Sequence, residues 1–334
     1  MVGEIAQPCK DPLIHRITRR SGGFVLIGLP SRARRSNPKR EKRVVRGATP
    51  AALLAACASI CLAVPGSALA GKQPTRKTAP SYYLALGDSL AAGAQPNAAG
   101  KTVPTNQGYA NDLFATEKSK LKGLKLKDLG CLGETASSML AGGPFCPYGG
   151  TQLADAVKFV KTHKVVLVTL DIGANDVDPC GFVPASQLGA CVGTGLESIN
   201  NNVPKIVKQL RNAAGRKVRI VGMTYYDPFL ADFLGTAAQQ PLATASVGLS
   251  KTFNADLTAA FTAQQLKIAD VAAAFDTYTP FTSTRTLAGH GTVPLAVAQI
   301  CKFTWMCAPA PRGPNIHATA TGYQKLARVF AAKL

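Results

Sequence analysis

The stretch Lys164-Val-Val-Leu-Val-Thr-Leu170 reads as a strand covered on both faces. Its apolar run is continuous instead of alternating, the pattern of a parallel strand packed between helical layers. Working outward, 151–162 has helical periodicity, and Gly173-Ala-Asn175-Asp176 follows as a loop at the strand's C-terminal end. The same alternation extends along the chain. Further strands are expected at 82–86, 124–129, 217–222 and 266–271, and further helices at 107–120, 195–213, 246–264 and 319–333. Alternating βαβ units imply an α/β fold, a three-layer α/β/α sandwich around a parallel sheet with right-handed crossovers. Two long stretches, 228–241 and 276–314, show no regular pattern, and loops of that length are usually functional or mobile.

Composition bounds the rest. The 334 residues carry a formal net charge of +20. Residues 1–46 contribute +9 of it and 47–70 carry no charge, so 71–334 hold 26 basic against 15 acidic side chains, a surplus of +11. A basic surface suits peripheral contact with anionic surfaces. No zinc-finger spacing, RNA-binding aromatic motif or compact Arg cluster is present, which argues against nucleic acid as a partner. Residues 39–70 have the form of a secretory signal: Lys39, Arg40, Lys42, Arg43 and Arg46, an apolar run from 51 to 64, then Ala68-Leu69-Ala70. The run is too short for a typical membrane-spanning helix of about 20 residues. Cleavage is expected after Ala70, with lipid attachment at Cys57 as the alternative, and residues 71–80 form a polar linker before a domain spanning 81–334.

Removal of residues 1–70 leaves six cysteines, at 131, 146, 180, 191, 301 and 307. An even count in an exported chain reads as disulfides. Of the 15 possible pairings, the short spacings favour Cys131–Cys146, Cys180–Cys191 and Cys301–Cys307. No Cys-x-x-Cys spacing points to zinc.

Four pieces carry chemistry. Leu84-Ala-Leu-Gly-Asp-Ser-Leu90 places Ser89 just beyond the first strand, where open α/β sheets bind ligands. Gly130-Cys-Leu-Gly133-Glu-Thr135 follows the second strand and Gly173-Ala-Asn175-Asp176 the third. His317, with Thr321-Gly322-Tyr323, opens the last helix. A serine needs a neighbouring base and aimed donors to hydrolyse an ester. Ser89 N–H, Gly133 N–H and the Asn175 amide offer an oxyanion hole, and His317 offers the base. Serine first and histidine last, with no Gly-x-Ser-x-Gly elbow, argues against the α/β-hydrolase type.

With these four ordered motifs, residues 81–334 resemble the SGNH or GDSL hydrolase family, in particular its secreted, cysteine-bearing actinobacterial-type esterases and lipases. The resemblance implies a flavodoxin-like sheet of about five strands. It implies Ser89 as nucleophile, His317 as base and Ser89, Gly133 and Asn175 as the oxyanion hole. It implies an exported, monomeric enzyme acting on small-molecule or lipid esters, with no cofactor and no metal. One departure stands out. The family usually has an aspartate three residues before the histidine, and here that position is Pro314. Either a distant acid or a backbone carbonyl then orients His317, and the Pro314 carbonyl is the favoured one, giving a Ser–His dyad.

Simpler readings accompany these. His290 is the rival base but reads as a loop residue, and His163 reads as structural. Asp88, Asp171, Asp176 and Asp178 read as local hydrogen-bond partners. Gly100-Lys-Thr102 lacks the spacing of a phosphate loop. Tyr225, Tyr226 and Phe229 fit an acyl pocket or core packing. Beside the acyl or lipid esterase stand a carbohydrate O-acetylesterase and a non-catalytic surface-binding protein on the same scaffold.

Overall fold

The computed structural model describes residues 79–334 apart from Phe145 and Pro147. The expectations for the leader 1–70, Cys57 and nearly all of the linker fall outside the described residues.

Five parallel strands form the central sheet: β1 Ser81–Gly87, β2 Leu124–Asp128, β3 Lys164–Asp171, β4 Arg219–Met223 and β5 Lys267–Ala269. Their spatial order is β2-β1-β3-β4-β5. The apolar run that suggested a doubly covered strand is β3, where Val165, Leu167, Val168 and Leu170 are buried. β1 is buried from Tyr83 to Gly87. Each strand lies within three residues of its expected bounds.

The order explains where a site forms. The chain runs from β1 outward to β2, then reverses across β1 to β3, β4 and β5. Right-handed crossovers therefore place α1 (Tyr109–Lys120) on one face and the connections to β3, β4 and β5 on the other. Those connections include α2 (Ala136–Ala141), α3 (Gln152–Thr162), α4 (Ala174–Val177), α5 (Ala185–Ala214) and α6 (Gln240–Ala263). A crevice opens at the reversal between β1 and β3. The β1–β3 register sets Gly87 opposite Asp171, so the loops carrying Ser89 and Asn175 leave the sheet side by side. Gly87 has φ +140°, and a Cβ there would stand 2.1 Å from the Asp171 carbonyl oxygen. Only glycine permits that approach.

α7 (Val271–Ala274) and α8 (Leu295–Phe303) lead to α9 (Ala320–Ala331). α9 packs on α1, where Tyr109 and Phe330 stack at 4.6 Å. Two short antiparallel pairs, 95–96 with 102–103 and 284–287 with 291–294, decorate the loops. The stretch expected to be irregular, 276–314, thus holds a hairpin and α8. α8 buries Ala296, Val297, Ala298 and Ile300.

Two helices begin earlier than the sequence suggested, α5 at 185 instead of 195 and α6 at 240 instead of 246. The first turns of α5 are rich in glycine, a poor helix former. Tertiary packing holds them. Cys180–Cys191 ties them to the preceding 3₁₀ turn, and Gly195 lies against the Asp176 backbone. In α6, Pro241 occupies the start of the helix, where a missing N–H costs nothing. All three expected disulfides form, with Cα–Cα separations of 5.9, 5.6 and 4.9 Å.

Candidate active site

The Ser89 hydroxyl lies 2.8 Å from His317 Nε2. The two residues are 228 apart in sequence, brought together by the loop after β1 and the loop before α9. Asp88 shapes the first loop from below. Its Oδ1 accepts the Leu90 N–H at 2.9 Å and its Oδ2 accepts the Tyr225 hydroxyl at 2.7 Å. Asp171 closes the same turn by accepting the Ala91 N–H at 3.1 Å and the Tyr109 hydroxyl. Burial, reinforced by the Asp88 charge, pushes Asp171 well above the usual carboxylate range. Asp88 is also raised, mainly by burial. Both act on the backbone, as expected.

The group facing His317 Nδ1 differs from expectation. Asn315 Oδ1 lies 2.7 Å from Nδ1, in place of the Pro314 carbonyl. The reason is a local turn. The same Oδ1 accepts the His317 backbone N–H at 3.1 Å, the Asx arrangement that an Asn two residues upstream readily makes. A backbone N–H only donates, so the atom it meets must be the amide oxygen, which fixes the amide's orientation. The other end of the amide donates to Thr102 Oγ1 at 2.9 Å. Nδ1 must then carry the imidazole proton, leaving Nε2 as the acceptor for the Ser89 hydroxyl. Thr102 thus has a structural part, with no phosphate loop around it. Tyr226 braces the loop by donating its hydroxyl to the Ile316 carbonyl at 2.7 Å. Burial lowers the His317 pKa to about 4.

Ser89 and Asn175 line the same cleft. Asn175 sits in α4 and donates from Nδ2 to the Glu134 carbonyl at 3.0 Å, leaving its second amide hydrogen available. Gly133 turns at φ +79°, a conformation that favours glycine. Among the described residues neither the Ser89 N–H nor the Gly133 N–H has a hydrogen-bond partner. Asp176 ties the two loops together by accepting the Ala136 N–H at 2.8 Å and the Ser198 hydroxyl at 2.6 Å. The role is structural, as expected, but its bonds reach residues 40 and 22 positions away instead of local ones. Sequence reasoning missed Gln152 of α3. Its side chain accepts the Gly87 N–H at 2.7 Å and donates to the Gly87 carbonyl at 2.9 Å. It also donates to Glu134 at 3.2 Å, joining the first two loops.

A cleft opens beside Ser89 and His317. Its wall carries Leu188, Val192 and Leu196 of α5 and Leu242, Ala245 and Leu249 of α6. These fall at helical spacings, i, i+4, i+8 and i, i+3, i+7, and belong largely to the turns that sequence reasoning left out of both helices. Leu242 and Leu249 are 45% and 38% exposed, so the wall continues to the rim. Tyr225, Tyr226 and Phe229 also line it, and the two tyrosines are buried as well, which unites the two readings. Asp178 departs from expectation. Its carboxyl accepts no hydrogen bond among the described residues and it lines the cleft. It follows Asn175-Asp176-Val177 onto a 3₁₀ turn whose start faces the cleft. His290 is exposed in the hairpin turn, away from this arrangement. His163 stacks on Phe159 at 4.0 Å.

Comparison with known proteins bears on the family and the fold. The model of the GDSL-like lipase/acylhydrolase family matches residues 85–325. Among solved structures, a phospholipase A1 from Streptomyces albidoflavus NA297 is similar at 19% identity and a TM-score of 0.52. An extracellular lipase from Streptomyces rimosus is similar at 17% identity and a TM-score of 0.50. In both cases 77% of this chain and 100% of the other are covered. At such identities the likeness is one of fold. The search of curated proteins gives no match. The family match spans well over half of the sequence and contains the serine, both donor loops and the histidine, so the chain belongs to the GDSL-like lipase/acylhydrolase family.

Proposed function

We propose that the protein is an exported serine hydrolase that cleaves carboxylic esters carrying an apolar acyl chain. The observation that carries this reading is the Ser89 Oγ to His317 Nε2 contact of 2.8 Å, with Nδ1 held by Asn315. His317 Nε2 takes the Ser89 proton as Oγ attacks the ester carbonyl. The Nδ1–H stays on Asn315 Oδ1 and keeps the ring in that tautomer. The oxyanion is held by the Ser89 and Gly133 N–H groups and the Asn175 amide. His317 then passes its proton to the leaving alkoxide, and a water activated by the same Nε2 releases the acid from the acyl-enzyme.

The apolar walls of α5 and α6 support a hydrocarbon acyl group over acetyl, because an acetyl ester would leave that surface wet. Three disulfides support export, since such bonds persist in oxidising compartments. Rates on p-nitrophenyl acetate, butyrate and palmitate, beside an acetylated glycan, test the proposal. A preference for butyrate or palmitate is expected, whereas activity confined to the glycan identifies a carbohydrate O-acetylesterase. Ser89→Ala should lower turnover by several orders of magnitude without unfolding the protein. A variant keeping a tenth of the rate would show that Ser89 is not the nucleophile.

A further inference from the structure

The cleft is charged against the trend of the protein. Residues 71–334 carry a surplus of +11, yet among the described residues no Lys or Arg lines the cleft. Its carboxyl groups are Asp88, Asp178, Asp227 and Asp232. Two of them serve the backbone and neighbouring hydroxyls. Asp88 is held by Leu90 and Tyr225, and Asp227 accepts the Phe229 N–H at 3.0 Å and the Ser246 hydroxyl at 2.7 Å. Asp178 and Asp232 have no such partner among the described residues, and of the two Asp178 is the one set in the loop that carries Asn175. It shares the cleft with the aromatic rings of Tyr225, Tyr226, Phe229 and Phe253. A carboxyl group that shares a cleft with aromatic rings, and with no Lys or Arg in the lining among the described residues, suits an ammonium group.

We propose that this cleft selects esters bearing a positively charged ammonium group close to the scissile bond, and that the Asp178 carboxylate pairs with it. This rests on the ester-hydrolase reading above and names its substrate class. His317 does not compete for the position, because its lowered pKa keeps it neutral across the working range. In the free protein, burial and the charges of Asp88 and Asp227 raise Asp178 to about 8. The titratable groups around it in the cleft are Asp88, Asp227, Asp232, Tyr225, Tyr226 and His317. Pairing with a cation needs the carboxylate, so the advantage of a cationic ester should grow as pH rises toward and through 8. The carboxylic acid present at lower pH offers only a neutral hydrogen bond.

The test compares butyrylcholine with 3,3-dimethylbutyl butyrate, which replaces the charged nitrogen by carbon at the same shape. For the wild type, the ratio of kcat/KM values should favour the cation by about tenfold at pH 9 and shrink toward pH 6, tenfold being an ordinary worth for one charge pair. Asp178→Asn should bring the ratio toward one and flatten its pH dependence. A wild-type ratio near one throughout, or a ratio unmoved by Asp178→Asn, overturns the proposal. A second arm is independent of turnover. In Ser89→Ala protein, calorimetry should show choline binding more tightly than 3,3-dimethylbutanol, with the difference lost on adding Asp178→Asn. Equal binding of the two overturns the cation site. If choline binds selectively but the wild type hydrolyses no ester, the hydrolase reading falls and the cation site stands.

Discussion

Asn315 does for His317 what a carboxylate does in the usual family pattern, but without a charge. The amide oxygen fixes the tautomer and the ring orientation, while nothing beside Nδ1 stabilises an imidazolium. Burial then decides the outcome and lowers the pKa to about 4. In the proposed mechanism His317 works as a neutral base, so activity on a neutral ester should stay level from mildly alkaline pH down to about 5 and fall as pH drops through about 4. Asn315→Asp keeps the oxygen and adds a negative charge, which favours the imidazolium. Its acid limb should therefore move to higher pH, by a unit or more. Asn315→Ala should instead lower kcat, roughly 10-fold to 100-fold, without moving the limb upward. Rate profiles from pH 3.5 to 9 separate these outcomes, and an unmoved limb in Asn315→Asp would place some other group at Nδ1.

At the level of elements, the loop between α8 and α9 is braced from one side. The Trp305 backbone N–H donates to the His317 carbonyl at 3.0 Å, and the Trp305 carbonyl accepts the Asn315 backbone N–H at 3.2 Å. Thr304 pairs with Ala318 in an isolated bridge. Cys301–Cys307 staples the short turn that carries this brace. The bond closes only a six-residue separation, so its contribution to global stability is toward the low end for disulfides. Its local effect is larger, because it holds the backbone against which Asn315 and His317 are set. Replacing both cysteines by alanine should lower kcat severalfold at temperatures well below unfolding. Equal kcat in variant and wild type would show that the brace stands without the staple.

The whole molecule combines a sheet buried between helices with loops that are stapled individually. Each disulfide links near neighbours in sequence, at separations of 15, 11 and 6, and each lies beside a site element: the Gly133 loop, the start of α5 and the His317 loop. Denatured protein prepared under oxidising conditions and lacking residues 1–70 should expose no reactive thiol. Reduction should lower the unfolding temperature, each bond contributing about 2–4 kcal/mol before strain is considered. Six titratable thiols in such a preparation would refute the pairing, and an unchanged unfolding temperature on reduction would assign the stability to the sheet alone.

The strands, their parallel arrangement and the four chemical motifs were legible in the sequence because each rests on local pattern. A continuous apolar run such as 164–170 signals burial on both faces wherever it occurs, and glycine-acid-serine at a strand's end signals a loop at the sheet's rim. Near-neighbour cysteines signalled their pairing for the same reason. Local pattern could not reveal the opening turns of α5 and α6. Their apolar residues face the cleft, and their glycines and proline argue against helix until packing and a disulfide overrule them. Nor could it reveal Gln152, whose contact with Gly87 spans 65 residues. The partner of His317 was one residue from the expected place, and only the turn through Asn315 and its anchor on Thr102, 213 residues away, decided between them. The unpaired carboxyl of Asp178 is likewise a property of the assembled cleft, since a carboxyl's partners are set by what the fold brings near it.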